Sequence, residues 1–408
     1  MTMLSFDPKL FSKEFPHKVE ELLLLVMRKG FSLTLIGGTV RDFLVTGKVG
    51  KDLDFELKHS MPYSNEEWIS RLKFLKKEIQ KQWNCEELAF NIIRVFIDDI
   101  EVEFSSARTE KYMGDGPFSH SDFEVELNPS LGTKESVERR DFTLNSIGIL
   151  FGAPGTEEEY LLVDPLNGVN DLSHKTLKPA GSEFYKDPVR LLRTLRFSIK
   201  YGYDYKNIEF KKFDLSLLTV HWFLAEAKKS RKTSFFKIFF DCISQHKVSL
   251  NEKIVTLEPL SSISDCEWSG RLEDLMILLI ENFQSISKAD FLNVGLTLNL
   301  PQQFVSSLFE NVQSLKSLKS VEKDKLKSMS CEEFSTSQEF KLVKSLHQFE
   351  SKFPEVLKQF SQKEIVDRLD EIFYIWPLGF EKNHDKPDYN SLEPELRSSY
   401  LYKRQLDV

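Results

Sequence analysis

Cysteine is scarce in this chain of 408 residues: four in all, Cys85, Cys242, Cys266 and Cys331. Their scatter gives neither metal-ligand nor redox spacing, which excludes a disulfide scaffold and fits idle thiols in a reducing cytosol. The eight histidines, from His17 to His384, lie too far apart in sequence to argue for a hydrolytic metal cluster. Long apolar runs are absent as well. Leu22–Met27 is the longest near the start, far short of a membrane span, and no signal-peptide layout precedes it. A cytoplasmic protein with no membrane partner is therefore expected. Positive charge is in deficit, with a net charge of −8 and a pI near 5.7. That argues against a generic nucleic-acid coat but leaves room for a local basic track. No internal repeat stands out. With 41% hydrophobic and 29% charged residues, the composition is that of an ordinary globular chain long enough for two or three domains.

What the sequence does contain begins at Leu35-Ile36-Gly37-Gly38-Thr39-Val40-Arg41-Asp42. The branched and aromatic run from Phe31 to Ile36 reads as a buried strand ended by the glycine pair. Glycines there let backbone approach a phosphate with no Cβ in the way. Ten residues on, Asp52, Asp54 and Glu56 alternate with Leu53, Phe55 and Leu57. In a strand, that period of two puts the acids on one face and the apolar side chains on the other. Adjacent carboxylates repel unless a cation lies between them. Taken singly, a Gly-Gly and an Asp-x-Asp are weak signals; their order and spacing give the layout expected of a metal-dependent nucleotidyl transferase.

Around this core the pattern predicts a helix over 17–28 stopped by Gly30. A second helix starts at the capping box Ser64-Asn65-Glu66-Glu67, with Trp68, Leu72, Leu75 and Ile79 on one face. A hairpin follows, Ile92–Ile97 and Ile100–Ser106 about a turn at Asp98-Asp99. Its second strand puts Glu101 and Glu103 on one face, so that a third carboxylate beside Asp52 and Asp54 would complete a two-metal site. Residues 109–137 read as a long polar connection of little periodicity. Asp164-Pro165-Leu166-Asn167-Gly168 is a turn signal. A helix is predicted over 187–200, with Asp187 as N-cap, Pro188 at its first position, and Arg190, Arg193 and Arg196 recurring along one side. An Asp–Arg pair one turn apart can offer acceptors and donors to a base edge. From about 205 the pattern is helical. Two basic clusters remain, Lys228, Lys229, Arg231 and Lys232 before the aromatic run Phe235–Phe240, and Lys316, Lys319, Lys323 and Lys327 at helical steps. Each reads first as a solvated helix face.

Five blocks then stand in order over residues 33–200: Gly37-Gly38-x-x-Arg41-Asp42, Asp52-x-Asp54, Arg139-Arg140-Asp141-Phe142-Thr143-x-Asn145, Asp164-Pro165-x-x-Gly168 and Asp187-Pro188-Val189-Arg190-x-x-Arg193-x-x-Arg196-Phe197. This set resembles the class II tRNA nucleotidyltransferases, the CCA-adding enzymes and their relatives the bacterial poly(A) polymerases. The resemblance implies an α+β fold: an N-terminal polymerase-β-like mixed-sheet head, then an all-helical neck, body and tail. The corresponding boundaries are 1–150 for the catalytic head, 151–245 for the template helix and neck, and 246–408 for a tRNA-binding body and tail.

The activity implied is template-independent addition of CCA to the tRNA 3′ end from CTP and ATP. Asp52 and Asp54 would hold two Mg²⁺ ions, with Glu103 as the third carboxylate. One ion would activate the RNA 3′-hydroxyl and the other neutralise the triphosphate and pyrophosphate. Gly37, Gly38 and Arg41 would contact the triphosphate, and Arg140 the nucleotide, with Asp141 and Asn145 organising that wall. Asp187 and Arg190 would read the base, with Arg193 and Arg196 toward phosphate or ribose. Lys186 replaces the acid usual before the Asp187 position, which implies altered tuning of the template. The strand Leu88–Val95 lacks the basic segment common in the poly(A) branch, and the 109–137 connection is long enough for a flexible element; both favour CCA addition. The alternatives are poly(A) synthesis, partial CC or A addition, and an inactive RNA-binding relative. Nothing in the sequence specifies an oligomeric state.

Overall fold

The computed structural model describes residues 6–317 apart from residues 15, 157, 158 and 284. The side chain of Lys316, with Lys319, Lys323, Lys327, Cys331 and most of the expected tail, lies outside the described residues. The chain divides into two compact units, Met1–Glu226 with Ile238–Asn251, and Ala227–Lys237 with Glu252–Val408.

The first unit is built on a seven-stranded sheet. Its strands are β1 (Ser32–Ile36), β2 (Asp52–Lys58), β3 (Asn84–Glu87), β4 (Ile93–Ile97), β5 (Ile100–Ser106), β8 (Gly148–Phe151) and β9 (Tyr160–Val163), while β6 (Arg108–Tyr112) and β7 (Phe123–Leu127) form a separate ribbon. The sheet order is β3-β4-β5-β2-β1-β8-β9. Every neighbouring pair is antiparallel except β2–β5. A parallel pair needs a crossover, and the 15-residue helix in the β2-to-β3 connection supplies it. The head helices are α1 (Pro8–Ser12), α2 (His17–Arg28), α3 (Gly38–Thr46), α4 (Asn65–Ile79), α5 (Thr133–Val137), α6 (Gly168–Ser173) and α7 (Val189–Tyr201).

Alternation along β2 sorts its side chains as the sequence indicates. Leu53, Phe55 and Leu57 are buried, and Asp52 and Asp54 are exposed on the other face. Phe55 lies against Phe104 of β5 at 5.7 Å and Phe151 of β8 at 5.4 Å. Truncating any of these rings would cost about 3–5 kcal/mol. Helix α4 begins at the expected capping box, Ser64 with Glu67. It buries Trp68, whose indole N–H donates to Ser106 Oγ at 2.7 Å, so the helix is fixed over the end of β5.

Three features depart from the sequence reading. The stretch 109–137 is ordered, as the β6–β7 ribbon followed by α5. The signal is weak in β6, whose inward face carries charge: Arg108 Nη2 pairs with Glu110 Oε1 at 2.8 Å, both nearly buried; β7 does alternate, with Phe123, Val125 and Leu127 between Glu124 and Glu126. Strand β9 lies beyond residue 150 yet pairs with β8, since Tyr160 closes an aromatic cluster with Phe11 and Phe151. Beyond 205, two short parallel strands, β10 (Asp214–Leu215) and β11 (Ser249–Leu250), interrupt the helices.

The remaining helices are α8 (Val220–Ser230), α9 (Ser234–His246), α10 (Glu252–Val255), α11 (Leu272–Asn282), α12 (Lys288–Thr297) and α13 (Gln302–Ser317). In the second unit Gly295 of α12 permits close approach of α13, for a Cβ there would meet Val305 Cγ2 at 2.5 Å. The aromatic run after the basic cluster is core: Phe235, Phe236 and Phe239 are fully buried. Among the described residues, no helix is long and apolar enough to cross a membrane.

Candidate active site

The glycine pair forms the turn from β1 into α3. Gly37 has φ +97°, a left-handed conformation that an L side chain resists. Space adds a second constraint: a Cβ on Gly37 would lie 3.0 Å from Arg140 Nη1 and 3.8 Å from Asp54 Oδ2. The loop, a basic side chain and a β2 carboxylate thus meet at one residue. Thr39 on α3 ties this turn to β2 through a hydrogen bond from its hydroxyl to the Asp52 carbonyl.

The parallel register sets Asp52 opposite Glu101 and Asp54 opposite Glu103, four carboxylates on one face of two adjacent strands. Although Asp54 keeps an exposed face, desolvation by the packing around its carboxyl pushes it above its usual range; Arg140 opposes this, and Glu103 and Asp52 reinforce it. Burial likewise raises Glu101, with Arg94 opposing and Glu103 adding to it. Glu103 itself is held by Arg94 of β4, with Nη2 at 2.6 Å and Nε at 2.8 Å. Among the described residues, no three His, Cys, Asp or Glu side chains converge as a metal cage; Glu103 is engaged by Arg94 instead. The Asp52 and Asp54 carboxylates accept no hydrogen bond from any described residue. Two such hard oxygen donors side by side fit a divalent cation. The third acid of β2, Glu56, is buried under α5, where Ser136 Oγ donates to it at 3.0 Å.

A second group of expected residues forms one continuous polar chain. Arg41 Nη1 donates to Asn145 Oδ1 at 2.8 Å, and Asn145 Nδ2 to Asp141 Oδ1 at 2.9 Å. Arg193 of α7 closes the chain on Asp141 Oδ2 at 2.6 Å. Burial works against the Asp141 carboxylate, yet Arg193, Asn145 and the Phe142 N–H outweigh it and hold the carboxyl at about 2. Arg41 is buried, bonded to Asp42 as well, and stacked on Phe197 and Tyr201. Its guanidinium therefore braces α3 against α7. The 164–168 turn serves the same wall: Asp164 accepts from the Gly168 and Val169 N–H groups. A Cβ on Gly168 would collide with the Thr143 carbonyl at 2.2 Å, so this glycine lets α6 press against the turn that presents Asn145.

Asp187 and Arg190 stand at the start of α7, both nearly buried. The N-cap is Pro188, one residue later than the sequence indicates, and Asp187 Oδ1, just ahead of it, accepts the N–H of Val189, the first helical residue, at 2.9 Å. Arg190 Nε lies 3.6 Å from Asp187 Oδ2, and its Nη2 donates to the Arg139 carbonyl at 2.6 Å. Its third nitrogen, Nη1, is buried without a partner, as are Arg139 Nε and Arg140 Nε. Burial, then the nearby Arg108 and Arg140, bring Arg139 down to about 10, the mark of a crowded basic pocket. Arg196 faces elsewhere: it is buried and paired with Glu226 at 2.6 Å. The structure thus gathers Gly37, Arg140, Asp54 and its strand neighbours on one side, and joins Asp141, Asn145, Arg41 and Arg193 behind them.

Sequence reasoning missed His120, whose Nδ1 lies 2.9 Å from Asp187 Oδ2, and missed Arg94. For Arg94 a signal existed, a lone basic residue on the strand paired with an acidic one. For His120 there was none, since 67 residues separate it from its partner.

Residues 33–178 match the model of the poly A polymerase head domain. Over those residues the chain is similar to the head of the CCA-adding enzymes and poly(A) polymerases. A multifunctional CCA protein of Psychromonas ingrahamii is 33% identical over 171 residues, 42% of this chain and 35% of that protein. One from Stenotrophomonas maltophilia is 37% identical over 100 residues, 24% and 22% of the two chains. The chain thus spans about a fifth to a third of the length of these relatives. Two solved structures share the fold. A CCA-adding enzyme complexed with CTP gives a TM-score of 0.54 at 16% identity, covering 99% of this chain and 100% of that one. The Thermotoga maritima CCA-adding enzyme complexed with tRNA gives 0.52 at 15% identity, with the same coverage.

Proposed function

We propose that this chain is a template-independent RNA nucleotidyltransferase that adds C, C and A to the 3′ end of tRNA from CTP and ATP. The observation that carries the reading is the pair Asp187 and Arg190, an acceptor beside a buried donor, Arg190 Nη1, with no acceptor of its own. A buried donor left unpaired is costly, so the site favours a ligand that supplies the acceptor. Cytosine and adenine both present an unprotonated ring nitrogen next to an amino group. Arg190 would donate to that nitrogen and Asp187 accept from the amine. Uracil and guanine present a ring N–H next to a carbonyl, the reverse order, and leave both groups unpaired.

The rest of the site suits the triphosphate. Backbone at the N-terminus of α3 offers N–H groups and a positive dipole end, and Arg140 adds a full charge across Gly37. Asp52 and Asp54 would hold Mg²⁺, joined by Glu103 on its release from Arg94; bound there, the metal would activate the RNA 3′-hydroxyl and neutralise the leaving pyrophosphate. Arg193 and Arg41 act at a distance: through Asp141 and Asn145 they keep the wall between these two halves rigid.

The test is extension of a tRNA transcript lacking its 3′ CCA, with Mg²⁺ and each nucleotide alone, then CTP with ATP. Growth by C, C and A followed by a stop is the expected result. A long A ladder from ATP alone would move the protein to poly(A) synthesis, and arrest after CC, or addition of A alone, to a partial enzyme. No extension would leave an RNA-binding protein without catalysis.

A further inference from the structure

The connection between β6 and β7 delivers a side chain onto the template carboxylate. His120 Nδ1 lies 3.0 Å from Oδ1 and 2.9 Å from Oδ2 of Asp187, astride both oxygens. Because a carboxylate only accepts, the bridging nitrogen is the one that carries the proton. The imidazole is held there from several sides. A local turn presents it, with the Ser119 N–H donating to Asp122 Oδ2 at 2.7 Å. Phe118 anchors the connection between Tyr112, at 5.1 Å, and the Lys186 ammonium, at 5.6 Å. Trp222 of α8 meets the imidazole edge-on at 4.4 Å.

A planar N–H aimed at Asp187 is what the exocyclic amine of cytosine or adenine would offer. We infer that His120 is a positioning residue that stands in for the base: it occupies the Asp187 side of the template until CTP or ATP displaces it. This rests on the template reading above. While the site awaits nucleotide, the histidine keeps a nearly buried carboxylate paired and oriented beside Arg190. The cost falls on nucleotide affinity. Every nucleotide displaces the same hydrogen bonds, so the penalty is common to all and cancels in the ratio between bases. His120 therefore sets how tightly nucleotides bind, and Asp187 with Arg190 set which.

Titration calorimetry of the full chain with CTP and with ATP tests this in wild type, His120→Ala and His120→Asn. Asparagine places an amide N–H close to the position of Nδ1. His120→Ala should bind both nucleotides about tenfold more tightly, the size of one hydrogen bond to a charged group, by the same factor for each. His120→Asn should return toward wild-type affinity. In steady-state extension the gain should appear in KM, with the preference for C over U as in wild type. Combined with Asp187→Ala, the His120→Ala change should have no effect. Weaker or unchanged binding in His120→Ala, or a gain that persists without Asp187, overturns the inference. Selection of C and A that survives Asp187→Ala overturns the template reading itself, which separates the two failures.

Discussion

Asp54 and Glu103 stand opposite each other in the parallel β2–β5 ladder, and Arg94 Nη2 holds Glu103 at 2.6 Å while no described residue donates to Asp54. Arg94 thus competes with any cation for Glu103. Arg94→Ala should lower the Mg²⁺ concentration giving half-maximal extension, and Glu103→Gln should raise it, each by about tenfold. A Mg²⁺ titration of single-turnover extension reads both. Midpoints that stay in place for both variants would remove Glu103 from the metal set.

Asp54→Asn should separate stability from activity. Desolvation raises the folded-state pKa of this partly exposed carboxyl, so its protonated form is the stabilising one. That contribution is complete below the ordinary value of 3.8 and lost as pH rises through the folded value. At pH 7 in metal-free buffer the ionised group is a burden, and the variant should melt at or above the wild-type temperature while incorporating no nucleotide. A clear fall in melting temperature would make Asp54 a structural carboxylate.

These sites differ in how far the sequence announces them. Alternation along β2 was legible because Leu53, Phe55 and Leu57 interleave with the acids, and a strand buried on one face must read that way. The β6–β7 ribbon was only half legible: Phe123, Val125 and Leu127 alternate with Glu124 and Glu126 in β7, but β6 turns Arg108 and Glu110 inward beside Tyr112, and the burial of those two charges depends on each other and on Arg139 from a distant segment. Arg41 and Arg193 were legible as conspicuous arginines, but their partners, Asn145 and Asp141, are found only once α3 and α7 are brought together. Contacts between residues far apart in sequence leave no periodicity to read.

Gly37→Ala tests the phosphate turn. An L residue at φ +97° is strained, and its methyl would press on Arg140 Nη1 at 3.0 Å. The variant should lose about 1–2 kcal/mol of stability and bind nucleotide more weakly, as Arg140 gives way. Thermal melting with calorimetry of CTP binding checks both, and a normal affinity would dissociate Arg140 from the nucleotide.

Acid unfolding should report on Asp141. Its carboxyl is held at about 2 against an ordinary 3.8, so the stabilisation is present above 3.8 and lost as pH falls toward 2. Asp141→Asn leaves Arg193 without its buried partner and should cost about 3 kcal/mol at neutral pH. It should also flatten the decline of stability with acid below pH 4. Urea melts from pH 7 to 3 would show it; curves for the two proteins that stay parallel would mean that Asp141 is not the group titrating there.

Arg190→Ala addresses base choice directly. The guanidinium is fixed by the Arg139 carbonyl and by Asp187, which leaves Nη1 as its one unpartnered nitrogen. Removing it deletes the donor that pairs with the ring nitrogen of C and A, and it also removes the donor that clashes with the N–H of U and G. Loss of the first lowers kcat/KM for the correct nucleotides, and loss of the second raises the relative use of the wrong ones. Discrimination should therefore fall by more than turnover, by roughly 10² for one lost hydrogen bond to a charged group and one relieved donor–donor clash. Measuring kcat/KM for all four nucleotides on the same tRNA decides it. An equal loss for all four would assign Arg190 to holding the Arg139 segment rather than to reading the base.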